Sequence, residues 1–341
     1  AKMIKAASVS DLFVIDNAKV SGAQLIGPNK SVNYVIAGVT GIILPIILIS
    51  LLFFINTNIT STQDVEFLSK IPILGVIGKS KTVLTVFEKS KSPVSESFRS
   101  IRSNLEFIYK KKDTLRKTKT VLVTSSVSGE GKTFTAMNIA SLYAVGGKKT
   151  VLVGLDLRKP KIFDDFNLHN NFGVVNCLVQ NKTITEVTQK THIPNLDLIT
   201  SGPIPPNPSE LLISQEMDDF VARLKEVYDY VVFDTPPLGL VTDALDLTRF
   251  SDANLYMIRQ DYTKKGMLGL INEKYENKEV KNLSFVLNYF KAKTGYGYGY
   301  GYGYGYGYGY GVYGNGYHEQ DTKEGIVFKV GNFFNKIIKK K

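Results

Sequence analysis

The stretch Thr120-Val121-Leu122-Val123-Thr124-Ser125-Ser126-Val127-Ser128-Gly129-Glu130-Gly131-Lys132-Thr133-Phe134 joins a β-branched apolar run to a loop of small residues. A helical pattern then runs from Lys132 to Val145. Successive backbone N–H groups of a tight glycine loop, backed by a helix N-terminus, make a cradle for phosphate oxygens. Ser128, Gly129, Glu130, Gly131, Lys132, Thr133 and Phe134 are therefore the candidate nucleotide contacts, with Ser126 where the first glycine of such a loop usually stands. In this pattern Lys132 reaches the β- and γ-phosphates of ATP, and the Thr133 hydroxyl ligates Mg²⁺.

Further β-rich runs flank this stretch at Thr150–Leu155, Leu196–Thr200, Tyr230–Asp234, Asn254–Arg259 and Leu283–Asn288. Helical patterns fall between several of them, at Gln215–Val227 and Lys264–Asn277. Such alternation predicts an α/β fold, a P-loop NTPase domain with a mostly parallel sheet flanked by helices. Open sheets of this kind bind ligands at the carboxyl ends of their strands. Asp156, in Val151–Arg158, and Asp234, in Tyr230–Pro237, both end strands there. Together with Thr133 they are the candidate Mg²⁺ ligands, and with Lys132 the candidate catalytic residues.

The remaining composition sorts the chain into regions. Its 341 residues allow about two domain-sized units at ~100–200 residues each. The 42 Lys+Arg exceed the 31 Asp+Glu, a net charge of +11, which suggests an anionic partner. The basic residues concentrate between Lys70 and Lys119 without any recognisable nucleic-acid motif, so a membrane surface is expected rather than nucleic acid. One cysteine, Cys177, excludes a disulfide framework and any Cys-built metal site, and three scattered histidines exclude a His-rich one. No charge occurs from Ser31 to Gln63. Within that stretch the 21 residues 35–55 are nearly all apolar and span about 31 Å as a helix, the thickness of a bilayer core. They predict one transmembrane helix, with Pro45 as a kink and the lysine-rich C-terminal side in the cytoplasm.

From Gly295 to Tyr317 the chain is almost pure Gly and Tyr, which cannot build a core and predicts a disordered tail. Its ten tyrosines, Tyr296, Tyr298, Tyr300, Tyr302, Tyr304, Tyr306, Tyr308, Tyr310, Tyr313 and Tyr317, are spaced by residues that leave every ring accessible. Beside a phosphoryl-transfer loop they read as phosphoacceptors. The final Thr322–Lys341 alternates apolar residues with lysines and is expected to lie on a membrane surface as a basic amphipathic segment.

The loop Ser126–Thr133, Asp156-Leu157-Arg158 and Asp234-Thr235-Pro236-Pro237 resemble the three Walker motifs of bacterial tyrosine kinases, which also form the cytoplasmic part of polysaccharide co-polymerases. Glu96-Ser97-Phe98-Arg99-Ser100-Ile101-Arg102 resembles the family's Glu-x-x-Arg-x-x-Arg oligomerisation helix, and Ser201–Glu210 is similar to another hallmark segment. The resemblance implies that Arg158 joins the nucleotide contacts and that Glu96, Arg99 and Arg102 assemble a homo-oligomeric ring. It further implies autophosphorylation of the tyrosine cluster in trans, with ATP and Mg²⁺, to regulate capsular or exopolysaccharide polymerisation and export. Implied partners are the polymerase and export machinery, a cognate tyrosine phosphatase and membrane lipid, at the cytoplasmic membrane. The implied organisation is 1–34, the end of a periplasmic region; 35–55, transmembrane helix; 56–94, juxtamembrane linker; 95–290, kinase domain; 291–321, autophosphorylation tail; 322–341, basic segment. Beginning at Ala1, the chain reads as the C-terminal part of a longer protein.

One departure stands out. Gly154 occupies the first acidic position of the family's Asp-x-Asp-x-Arg, which leaves Asp156 as the candidate general base. The alternatives are a non-catalytic polysaccharide chain-length regulator, which Gly154 favours, and a membrane-associated switch ATPase of the partition type. Val127 counts against the latter, because those proteins carry a signature lysine at that position.

Overall fold

The computed structural model describes residues 29–111, 118–238 and 243–291. All ten candidate phosphoacceptor tyrosines and the 322–341 segment lie outside the described residues. The chain divides into two compact units, Ala1–Asn56 and Thr57–Lys341.

In the first unit, α1 (Lys30–Ile55) contains Pro45 and exposes its apolar side chains on all sides. It is long and apolar enough to cross a membrane, and it begins five residues before the expected 35–55 because Lys30 to Tyr34 continue the same helix.

The second unit carries helices α2 (Thr62–Leu68), α3 (Thr85–Glu88), α4 (Pro93–Lys111), α5 (Lys132–Val145), α6 (Val174–Leu178), α7 (Ile184–Val187), α8 (Pro208–Ile213), α9 (Gln215–Val227), α10 (Asp243–Asp246) and α11 (Leu268–Glu276). Its strands are β1 (Ile73–Gly78), β2 (Lys119–Ser125), β3 (Thr150–Gly154), β4 (Gln189–Lys190), β5 (Leu196–Ile199), β6 (Tyr230–Asp234), β7 (Ala253–Arg259) and β8 (Leu283–Phe290). They form one sheet in the order β1-β8-β7-β2-β6-β3-β5-β4, parallel throughout except for the short β4. Strands covered on both faces need apolar side chains on both, and Val121, Leu122 and Val123 of β2 are all buried. Leu122 and Val123 pair with Phe233 and Asp234 of β6, and Gly154 of β3 also lies opposite Asp234. The ends of the three strands nearest the phosphate loop are thereby aligned.

Three apolar clusters hold this arrangement. One packs α4 and α5 against the sheet through Phe98, Ile101, Leu105, Met137 and Ile139. A second packs α6 and α9 on the other face through Val174, Phe220 and Leu224. The third joins Ile59, Val65 and Ile71 to Leu268, Ile271 and Phe285 at the β7–β8 end.

The third cluster corrects an expectation. Residues 57–94 are part of the domain rather than a linker: β1 is a parallel edge strand on β8, and Ile59 and Val65 are fully buried. The apolar run Ile73–Gly78 ends strand-poor surroundings and finds its partner some two hundred residues away, which local pattern does not show. β4, two residues long, is likewise absent from the periodicity. The helix expected over Lys264–Asn277 begins with a 3₁₀ turn at Lys265–Met267 before α11.

Candidate nucleotide site

A cleft of about 400 Å³ opens at the carboxyl ends of β2, β3, β6, β7 and β8. Ser128, Gly129, Gly131, Lys132, Thr133 and Phe134 line it, and Asp156 and Asp234 face it from the neighbouring strand ends. Local conformation dictates the loop. Gly129 and Gly131 sit at φ of 89° and 99°, where only glycine is unstrained. A Cβ on Gly131 would also stand 1.9 Å from Asn288 Nδ2, which donates to the Glu130 carbonyl at 3.0 Å.

The chemistry concentrates on Asp234. Thr133 Oγ1 donates to Asp234 Oδ2 at 2.8 Å, while the buried Oδ1 has no hydrogen-bond partner. Burial pushes this carboxyl from its ordinary 3.8 up to about 7; the Lys132 charge and the Thr133 hydroxyl oppose the rise, and Asp156 adds to it. An unsatisfied buried carboxylate oxygen beside a hydroxyl is the oxygen-rich donor set a hard divalent cation takes, with phosphates and water completing the shell. Thr133 and Asp234 therefore fit Mg²⁺. Among the described residues no three His, Cys, Asp or Glu side chains cluster to form a closed metal cage.

Asp156 accepts from the backbone N–H groups of Arg158 (3.3 Å) and Lys159 (3.0 Å) through Oδ1, so the turn after β3 fixes its carboxylate at the cleft. A Cβ at Gly154 would stand 3.3 Å from Ile162 Cγ2 and 3.4 Å from Ser201 N. A side chain at this position would need its neighbours to give by a few tenths of an ångström.

Two of the expected contact residues turn their side chains away from the cleft. Glu130 is fully buried and does not line the cleft. Its carboxylate accepts from Ser126 Oγ at 2.8 Å, from Val127 N at 2.9 Å and from the Thr263 hydroxyl, so the side chain holds the loop from behind. Arg158 is exposed and donates to Ser209 Oγ at 2.8 Å, outside the cleft lining. On α4, Glu96 and Arg99 pair within the helix, and Arg99 also donates to Ser90 O at 2.6 Å. Arg102 is half-buried near Gly146.

The structure adds supports that no motif announces. Arg259 donates to Gly129 O at 2.8 Å, and Tyr262 Oη donates to Ser128 O at 3.0 Å. The Arg259 guanidinium also stacks on Tyr262 and Tyr289, 4.8 and 4.0 Å from their ring centres. The loop carrying Arg259, Tyr262 and Thr263 is pinned in turn by residues 57–60. Ile59 N donates to Thr263 O and Asp261 N to Ile59 O, both at 2.8 Å, and Gln260 Nε2 donates to Thr60 O at 2.7 Å. Ser80, Lys81, Thr82 and Val83, from the stretch expected as linker, form part of the cleft wall.

A parallel sheet with a glycine loop, an adjoining lysine and a strand-end aspartate defines a P-loop nucleotide-binding domain. Consistent with this, residues 118–285 match the AAA domain family. The chain is 38% identical over 198 residues to tyrosine-protein kinase YwqD of Bacillus subtilis (strain 168), covering 58% of this chain and 82% of that one. It is 41% identical over 161 residues to the putative tyrosine-protein kinase CapB of Staphylococcus aureus, covering 47% and 69%. The crystal structure of the chimerical protein CapA2B2 superposes with a TM-score of 0.62 at 39% identity, over 67% of this chain and 99% of that one. The kinase domain of Escherichia coli tyrosine kinase ETK shares the fold, with a TM-score of 0.60 at 24% identity over 68% and 95% of the two chains. The chain belongs to the bacterial tyrosine-protein kinase family.

Proposed function

We propose that this chain is an ATP- and Mg²⁺-dependent protein-tyrosine kinase whose cleft phosphorylates the cluster Tyr296–Tyr317 of another copy in a homo-oligomeric ring. The observation that carries the reading is the pairing of Thr133 with the half-satisfied, buried Asp234 carboxylate beside Lys132. In this reading the loop N–H groups and the Lys132 ammonium hold the β- and γ-phosphates, and Thr133 and Asp234 hold the cation. Bound Mg²⁺ supplies charge neutralisation on the phosphate oxygens. The tyrosine oxygen bonds to the γ-phosphorus as the bond from that phosphorus to the β–γ bridging oxygen breaks. ADP leaves, and Asp156, at the same cleft, accepts the phenolic proton. Positioning and charge carry most of such a reaction, so the absence of a second acid at Gly154 is compatible with transfer.

The membrane-length helix α1 supports anchoring in the cytoplasmic membrane, with the kinase domain on the ATP side. Regulation of capsular or exopolysaccharide polymerisation and export, through the polymerase machinery and a cognate phosphatase, is the physiological role we assign. Incubating the full-length chain in detergent with ATP and Mg²⁺, followed by phosphosite mapping, tests the activity. Several phosphates between Tyr296 and Tyr317 are expected, and none in Lys132→Met. Abundant tail phosphate in that variant would exclude this cleft as the source.

A further inference from the structure

The cleft carries more positive charge than phosphate binding by the loop uses. Lys132, Asp156 and Asp234 belong to the transfer site, and the Arg259 guanidinium is bound to Gly129 O. Lys81, Lys159 and Lys161 remain, on two separate loops of the same lining. All three are exposed, and among the described residues their ammonium groups have no ion pair or hydrogen bond. The only other charged side chain lining the cleft among those residues is Asp165, an acid.

The tail itself offers these lysines no charge before transfer, since Gly295–Tyr317 contains no charged residue. Transfer changes that, because each phosphotyrosine brings about −1.5 to −2 charges and three strong acceptor oxygens. We propose that Lys81, Lys159 and Lys161 form a phosphotyrosine-binding site at the rim of the cleft, which holds the tail after each transfer. The inference rests on the kinase reading above.

The tail sequence fits such a site. From Tyr296 to Tyr310 tyrosines occupy every second position. In an extended chain, residues two apart point to the same side and lie roughly 7 Å from each other. A two-residue advance therefore presents the next tyrosine in the orientation of the last one. With the product phosphate held on the rim, that next tyrosine stays near the cleft at an effective concentration on the order of millimolar. Phosphates then accumulate along one tail before another tail begins.

Intact-mass spectrometry of the full-length chain, stopped at a mean of about three phosphates, reads this directly. The wild type is expected to show an excess of both unphosphorylated and heavily phosphorylated chains over a binomial distribution. The triple variant Lys81→Ala, Lys159→Ala, Lys161→Ala, allowed to reach the same mean, is expected to be binomial. A binomial wild type, or a variant with the wild-type distribution, would overturn the site while leaving the kinase reading intact. A wild type without any tail phosphate would remove both. Binding supplies a second measurement, independent of turnover, with fluorescent Gly-Tyr repeat peptides that do or do not carry one phosphotyrosine. At low salt the phosphorylated peptide is expected to bind roughly tenfold tighter to the wild type, a preference reduced to within about twofold in the variant. Equal affinity of both peptides for the wild type would overturn the proposal even if the variant transferred nothing.

Discussion

Replacing Asp234 by Asn separates what this carboxylate does for the fold from what it does for the ligand. In the ligand-free chain the side chain is buried, one oxygen is unpaired, and its pKa rises from 3.8 to about 7. The folded chain thus binds this proton more tightly than the unfolded chain between those values, so stability falls as the pH rises through that window. A displacement from 3.8 to about 7 corresponds to about 4 kcal/mol of destabilisation above pH 7, an upper bound before local relaxation. An Asn oxygen keeps the Thr133 hydrogen bond and removes the charge. The ligand-free Asp234→Asn chain should therefore be more stable than wild type at pH 8 by about 1–3 kcal/mol, or about 2–8 °C in melting temperature. At pH 4 the two should converge. Mg²⁺ added on top of ADP should raise the melting temperature of the wild type further and that of the variant much less, since the loop and Lys132 still hold the phosphates in both. Thermal melts of the full-length protein in detergent, at both pH values and without ligand, with ADP, or with ADP and Mg²⁺, supply all of these comparisons. A ligand-free variant that melts at or below the wild type at pH 8 would refute the reasoning, since burial of a carboxylate that Lys132 and Thr133 only partly offset could then not be what raises its pKa.

Two further outcomes follow from the same geometry. Glu130→Ala leaves the Val127 N–H and the Ser126 and Thr263 hydroxyls without their shared acceptor, and should cost about 2–4 kcal/mol in urea melts while weakening ADP binding, although the side chain does not line the cleft. Changing Glu96, Arg99 and Arg102 together to Ala removes one charged stretch of α4; the expected result is a smaller sedimenting species and slower tail phosphorylation, and unchanged values would place the subunit contact elsewhere.

The parts of this molecule legible in the sequence are those encoded locally. The phosphate loop announces itself because its glycines and lysine are contiguous, and Asp156 and Asp234 because each closes an apolar run. What was hidden is non-local. Glu130 occupies a loop position that reads as a ligand contact, yet its partners include Thr263, more than a hundred residues away. Arg259 and Tyr262 match no motif, and only the pairing of β7 with β2 brings them over the loop. Ile59, Val65 and β1 were masked by their neighbourhood, since an apolar run just after a membrane-length helix reads as its continuation or as a linker. Their burial on β7 and β8 could not be inferred without the sheet order.

The central claim is that one copy's cleft transfers phosphate to another copy's tyrosine cluster. It is tested most directly by mixing two chains, each deficient in one half of the reaction. One carries Lys132→Met with its tyrosines intact, and the other carries all ten tail tyrosines changed to Phe with its cleft intact. With ATP and Mg²⁺, phosphosite mapping should find phosphate between Tyr296 and Tyr317 of the Lys132→Met chain in the mixture, and on neither chain alone. A mixture without tail phosphate, or a Lys132→Met chain that phosphorylates itself unaided, would contradict the account.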